Sequence, residues 1–358
     1  MNLGHGGNVE EICRKYNIDE RNIIDFSANI NPLGVSKRVE EEMIKALDKI
    51  ERYPDITYHE LKLGISKYED IDYNKIILGN GAAEVIFNIV RGLKPKKVLL
   101  SAPTFSEYED AVKAINGEVV HYILNDENFM LNNGFLEAID ESIEMIFICN
   151  PNNPTGKLTS KDFIINVLDK ACNATVVVDE SFLDFIEDKR EYSLIDMCKK
   201  YKNLIVVKSL TKFFAFPGIR IGYGITGNTE FIRSINDVSV PWSINVVASN
   251  GAIAALEEVE YQRNTVEFVK NEKRFLYDGL VKFKELKVFE GAVNFIFFKC
   301  NANINLREEL IRYGIIIRSC SNYLGLDLSY YRVAVRTREE NLRLIESLGK
   351  VFNIWRRY

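Results

Sequence analysis

The sequence predicts an α/β fold: a large domain on a mostly parallel, seven-stranded sheet, joined to a smaller α+β domain. Two observations carry this. From about Lys75, short apolar runs alternate with stretches whose apolar residues recur at helical spacing, and after about Tyr261 that alternation stops. The runs are KIILGNG, KKVLLSAP, EVVHYIL, EMIFICN, ATVVVDE, NLIVVKS and IRIGYGI. They are rich in Val and Ile and end in Gly, Pro, Asn, Asp or Ser, as strands covered on both faces do. Between several of them lie helical patterns such as AEVIFNIVRGL and TSKDFIINVLDKA. Strand-helix alternation makes a doubly wound sheet, and such sheets bind ligands beyond the carboxyl ends of their strands.

Past Tyr261 a long charged helix, NTVEFVKNEKRFLYDGLVKF, leads into LKVFEGAVNFIFFKC, NLREELIRYG, IIIRSC and YYRVAVRT. The final helix opens on a capping box, Thr337 to Glu340, and carries Leu342, Ile345, Val351 and Trp355 near one face. The expected organisation is an N-terminal segment, 1–45, packing with the small domain, then a large domain, 46–262, and a small domain, 263–358.

Composition narrows the function. At 358 residues, 47% hydrophobic and 27% charged, the chain can bury a real core. Its net charge of −5 argues against a polyanion-binding surface, so no nucleic-acid partner is expected. The opening MNLGHGGNVEE has no basic region before an apolar run, and no apolar run approaches a membrane span. The six cysteines form no CxxC pair and read as reduced thiols. A cytoplasmic protein without a metal is expected.

The chemistry lies at strand ends. GNGAAEV, Gly79 to Val85, is a glycine turn opening a helix, a setting whose free N–H groups suit a phosphate. CNPNNPTG, Cys149 to Gly156, is a rigid turn able to aim an Asn amide. In VVVDESF, Asp179 follows three valines, and a carboxylate ending a buried strand needs a cationic partner or a helix to cap. SLTKFFAFPGIRIGY sets Lys212 between Ser209 and Arg220. Pyridoxal 5'-phosphate accounts for all of these. Its phosphate would lie on the Gly81 and Ala82 N–H groups, the Ser209 hydroxyl and Arg220. Asp179 would pair with the ring nitrogen, Lys212 would bond the cofactor covalently, Asn153 would hydrogen-bond the ring oxygen, and Tyr108 would stack on the ring.

The order GNG, PTFSEY, NPNNPTG, DESF, SLTKFFAFPGIRIGY resembles the fold-type I, aminotransferase-like pyridoxal phosphate enzymes over nearly the whole chain. The resemblance implies that Tyr53, in ERYPD, serves the cofactor phosphate of a neighbouring subunit, hence a homodimer with shared active sites. Phe182 departs from the family pattern, which often places there a tyrosine bonding the ring oxygen.

Cofactor alone does not select the reaction. The α-carbon bond held perpendicular to the ring breaks, so the grip on the substrate carboxylate decides. HGGN (His5 to Asn8), DFSANINPLG, IIIRSCSNYLGLD and YYRVAVRT together resemble the L-threonine O-3-phosphate decarboxylases of cobalamin biosynthesis. Histidinol-phosphate aminotransferases share the NPLG-like, RYPD and NNPTG segments and are the alternative. The resemblance implies substrate contacts at His5, Gly6, Asn29, Asn153, Arg318 and Arg332, with Arg332 on the carboxylate and Arg318 with His5 on the phosphate. Arg336 either assists or forms a surface ion pair. O-phosphoserine, one methyl smaller, is a further candidate substrate, since one methyl is worth only about 1–3 kcal/mol of discrimination.

Overall fold

The computed structural model describes residues 6–352. Its strands are β1 (Ile24–Asp25), β2 (Ile76–Gly79), β3 (Lys97–Ala102), β4 (Glu118–Ile123), β5 (Met145–Cys149), β6 (Thr175–Asp179), β7 (Leu204–Ser209), β8 (Gly222–Thr226), β9 (Leu286–Phe289), β10 (Phe295–Cys300), β11 (Ile315–Ile316), β12 (Arg318–Ser319) and β13 (Tyr330–Ala334). The seven apolar runs of the sequence become β2 to β8. They form one seven-stranded sheet in the order β2-β8-β7-β6-β5-β3-β4, parallel except for β8. β9, β10, β12 and β13 make a separate antiparallel sheet.

Four helices open the chain: α1 (Val9–Tyr16), α2 (Lys37–Ala46), α3 (His59–Glu69) and α4 (Ala82–Leu93). The first 45 residues touch both halves of the molecule. β1 pairs with β11, Ile24 opposite Ile315. α2 instead lies on the helix Val246–Leu256, where Met43 packs against Gly251 so closely that a Cβ there would meet its side chain at 2.3 Å. The last helix, Arg338–Val351, starts at the expected capping box of Thr337 and Glu340. Its buried stripe runs through Leu344 and Leu348, while Leu342, expected inside, is 43% exposed. Trp355 lies outside the described residues.

Side chains alternate across a strand, and β6 and β7 use this to separate two chemistries. Val177 and Val207 pack with α4 on one face of the sheet, and Val178 and Val206 pack in the core on the other. Asp179 and Ser209 continue the first face. Glu180 and Lys208 continue the second, where they meet Glu69 of α3 and Asp184. Lys208 Nζ lies 3.1 Å from Asp184, 3.7 Å from Glu69 and 4.0 Å from Glu180, and Lys189 is 2.6 Å from Asp184. Burial opposes charge on both partners, yet the two lysines hold the Asp184 carboxyl well below its usual range, and Asp184 and Glu69 push Lys208 up. Glu180 is pushed by burial to about 7, and accepts the Leu194 N–H and Ser193 hydroxyl.

Removing one partner of a buried charge cluster strands the others. Lys208→Ala is expected to lower the unfolding free energy by about 3–5 kcal/mol. Chemical denaturation measures it, and a loss under about 1 kcal/mol would show that water replaces the lysine at little cost.

Candidate active site

Residues from three strand ends and one helix N-terminus line a single cavity: Asp179, Asn153, Ser209, Lys212, Arg220 and Ala82 among them. β6 ends on Asp179 and β7 on Ser209, which opens the short helix Leu210–Phe213 bearing Lys212. Burial, then the charges of Arg220 and Arg332, push the Lys212 amine down to about 8, against the opposing pull of Asp179. Its Nζ lies 5.9 Å from the Phe182 ring centre and 3.4 Å from the Thr211 hydroxyl.

The anion end of the cavity is built from backbone. α4 starts at Ala82, leaving its first N–H groups without intrahelical acceptors. Gly81, at φ +87, has room for no side chain: a Cβ would come within 2.5 Å of Arg220 Nη2. Gly222 is equally constrained, since a Cβ there would sit 2.4 Å from Ala82 N. Gly81 was expected to donate its own N–H. That N–H is instead taken by the Gly79 carbonyl at 2.8 Å, because the turn tightens before the helix begins. Gly81 therefore supplies space, and Ala83 joins Ala82 on the cavity wall. Arg220 itself has φ +58, and Ala215 has φ +59, a left-handed backbone uncommon outside glycine.

Tyr108 does not stack over the cavity as expected. Its ring is fully buried, stacked on Phe147 at 4.8 Å, and its hydroxyl donates to Asp179 Oδ2 at 2.7 Å. Phe105, just before the helix Glu107–Lys113, is the aromatic of PTFSEY on the cavity wall. Both aromatics of PTFSEY fit the sequence signal; Phe105 precedes the helix Glu107–Lys113 and Tyr108 sits in its first turn.

Asn153 is held by two neighbours. Its Oδ1 accepts from Arg332 Nη1 and, at 3.4 Å, from the Tyr323 hydroxyl, which leaves Nδ2 as the donor it can offer. Arg332 is 5% exposed, and its partners are neutral: Asn153 and the Ser27 carbonyl at 2.9 Å. Its Nε has no hydrogen-bond partner, and burial pushes the group down. Arg318 is directly opposite Arg332 in the β12–β13 ladder, donates to Asn322 at 2.7 Å and lies over the Tyr323 ring. Asn29 is buried, with Oδ1 unpartnered.

Gly6 presses on Ser27, where a Cβ would meet the carbonyl oxygen at 2.1 Å, and lines a small cleft shared with Arg318. His5 lies outside the described residues. Arg336 lies beyond the end of β13 and makes a half-buried ion pair with Glu340 at 2.6 Å. Tyr53 is 82% exposed and stands against Trp242, away from this cavity. Cys149, Ser181, Phe182 and Thr211 also line the cavity. Of these only Phe182 had drawn attention in sequence, because the rest carry no charge and sit beside louder neighbours.

The donor set fits a phosphorylated aromatic aldehyde. A helix N-terminus, a hydroxyl and a guanidinium suit the phosphate, a carboxylate suits a ring nitrogen, and a neutral-capable amine suits the aldehyde.

Comparison with known proteins places this geometry. A family model for aminotransferase class I and II matches residues 21–348. A threonine-phosphate decarboxylase of Salmonella typhimurium is 35% identical over 355 residues, covering 98% of this chain and 97% of that one. Among solved structures, a histidinol-phosphate aminotransferase from Clostridium acetobutylicum aligns with TM-score 0.87 at 33% identity, over 92% of this chain and 99% of its own. An L-threonine-O-3-phosphate decarboxylase from Porphyromonas gingivalis aligns with TM-score 0.84 at 25% identity, over 92% and 100%.

The Lys212 environment makes a direct prediction. In cofactor-stripped protein, reductive alkylation of Lys212 by a small aldehyde is expected to rise through a midpoint near pH 8. Exposed lysines should follow their ordinary value of ~10.4. Peptide mapping reads both, and equal midpoints would contradict the environment described.

Proposed function

Because the chain belongs to the aminotransferase class I and II family, we propose that it is a pyridoxal 5'-phosphate-dependent decarboxylase of L-threonine O-3-phosphate, forming (R)-1-aminopropan-2-ol O-phosphate and CO2 in cobalamin (vitamin B12) biosynthesis. The observation that carries this reading is the cross-strand pair of Arg318 and Arg332. Arg332 is buried with Asn153 and the Ser27 carbonyl as hydrogen-bond partners, and with Arg318 opposite it two guanidinium groups stand side by side, which suits a substrate with two anionic groups. Arg332 takes the carboxylate, Arg318 and His5 the phosphate, and Gly6, Asn29 and Asn153 complete the substrate contacts. The 35% identity to the Salmonella decarboxylase along nearly the full length supports the same reaction.

Bound pyridoxal 5'-phosphate supplies an electron sink for the bond broken at the α-carbon. The protein's residues do the rest. Ala82, Ser209 and Arg220 bind the phosphate, Asp179 faces the ring nitrogen, and Asn153 donates to the ring oxygen. Phe105 covers a ring face. Lys212 would hold the cofactor aldehyde through its amine, and its free Nζ would carry a proton beside the α-carbon. Arg332 turns the carboxylate so that its bond, not the α-hydrogen, is the one set to break.

In this reading residues 46–262 form the cofactor-binding domain, 263–358 the small domain that presents the two arginines, and 1–45 the segment across the substrate. The working unit is a cytoplasmic homodimer, in which Tyr53 of the partner subunit reaches the cofactor phosphate. Its support is a run of exposed apolar residues near Tyr53 in sequence, Ile44, Leu47, Ile50 and Ile56, with exposed Trp242 5.0 Å from the Tyr53 ring, that a second copy would cover. Among the described residues no helix is long and apolar enough to cross a membrane.

The similarity to the Clostridium enzyme favours a second reading, histidinol-phosphate aminotransferase. The two separate cleanly. Protein loaded with pyridoxal phosphate is expected to release CO2 from O-phospho-L-threonine without any keto acid, and Lys212→Ala to abolish release. Amino transfer from histidinol phosphate to 2-oxoglutarate, with no CO2, would establish the second reading instead. Arg332→Ala is expected to lower kcat/KM for O-phospho-L-threonine at least 100-fold, ~3 kcal/mol for a lost charge-assisted pair; unchanged turnover would remove Arg332 from the carboxylate.

A further inference from the structure

Tyr108 is a buried titratable group to which the proposed chemistry gives no task. We infer that Tyr108 is a positioning residue that acts through Asp179: its hydroxyl fixes the carboxylate for the bond to the nitrogen of the cofactor ring. This rests on the pyridoxal phosphate reading above.

The ring of Tyr108 has no freedom to turn away. It is 0% exposed, stacked on Phe147 at 4.8 Å and 10°, and met edge-on by Phe105 at 5.6 Å. Its hydroxyl donates to Asp179 Oδ2 at 2.7 Å, and the Ser181 N–H donates to Oδ1 at 2.9 Å. Each carboxylate oxygen thus has one built-in donor, from a side chain below and from the backbone beyond. Asp179 lines the cavity, so the lone pairs left over are what it presents to a ligand there. Burial first, then the charge on Asp179, push the Tyr108 hydroxyl well above its ordinary range. It therefore stays protonated and serves as a donor throughout the working pH range, never competing with Asp179 for a negative charge.

The spacing makes the division of labour physical. Phe105 lies just before the helix Glu107–Lys113 and Tyr108 in its first turn, three residues apart in the PTFSEY segment. The first ring reaches the cavity, and the second lies beneath the strand ends on the face that carries Phe147 and Asp179. Pinning a carboxylate before the ligand arrives removes the cost of ordering it on binding.

The test uses a cofactor that lacks the atom in question. Tyr108→Phe keeps the ring on Phe147 and removes only the hydroxyl. Its affinity is measured by absorbance titration for pyridoxal phosphate and for 1-deazapyridoxal phosphate, in which carbon replaces the ring nitrogen. The expected result is about a tenfold loss for pyridoxal phosphate, the scale of one hydrogen bond to a charged group, with no loss for the deaza analogue. In an Asp179→Asn background the Tyr108→Phe change should then cost nothing further. Equal losses for both cofactors would make Tyr108 a packing residue and overturn the inference, as would no loss for either. Should Tyr108→Phe fail to fold, Tyr108→His supplies a different donor: preference for pyridoxal phosphate over its deaza analogue must survive there, and its disappearance would overturn the inference. If the unaltered protein binds neither cofactor, the cofactor reading itself falls; if it binds both, only the role of Tyr108 is in question.

Discussion

The alternation of side chains along β6 and β7 is the constraint from which the site follows. Each strand is buried on both faces, so neither can hold a polar group in its middle without a partner. At the last residues the sheet stops, and the two faces part company. Asp179 and Ser209 turn toward the cavity, while Glu180 and Lys208, their immediate neighbours, turn into the ion cluster with Glu69 and Asp184. The cluster ties the strand ends to α3, so the residues that present charge to a ligand are held from behind by charge that never meets it.

A comparable economy links the two halves of the molecule. Asn153 lies in the turn that follows β5 of the seven-stranded sheet and Arg332 in β13 of the smaller one, and a hydrogen bond joins them. Arg332 also reaches Ser27, near the start of the chain. One guanidinium therefore joins its own strand to two distant stretches of sequence. Tyr323, within reach of Asn153 and beneath Arg318, widens this contact into a small network.

Much of this was legible in the residues. The seven central strands were, because burial on both faces leaves an apolar run with a polar end that no helix imitates at that length. Lys212, Asp179, Asn153, Ser209 and Arg220 were also legible, since charged or amide groups at those ends demand a reason. What stayed hidden depends on angles and register. The choice between Phe105 and Tyr108 turns on where the helix Glu107–Lys113 begins, with Phe105 before it and Tyr108 in its first turn. The diversion of the Gly81 N–H depends on a tight turn, and the facing of Arg318 and Arg332 on a ladder register. Spacing places Leu342 with Ile345 and Val351 near one face of the helix Arg338–Val351, but the buried stripe runs through Leu344 and Leu348 and leaves Leu342 exposed. The partners of Lys208 come from two separate segments, Glu69 of α3 and the Glu180–Asp184 stretch, and a lysine near the end of a valine-rich strand gives no hint of which.

Arg220 shows what the site asks of the fold. Its left-handed backbone is of the kind that costs on the order of 1 kcal/mol in any residue but glycine. Glycine at position 220 would relieve that strain and discard the guanidinium against Gly81. A selection for thermal endurance alone would favour the relaxed turn, whereas a selection for anion capture keeps the strained one. The loop from Ala215 to Arg220 is thus a place where durability and function pull in opposite directions.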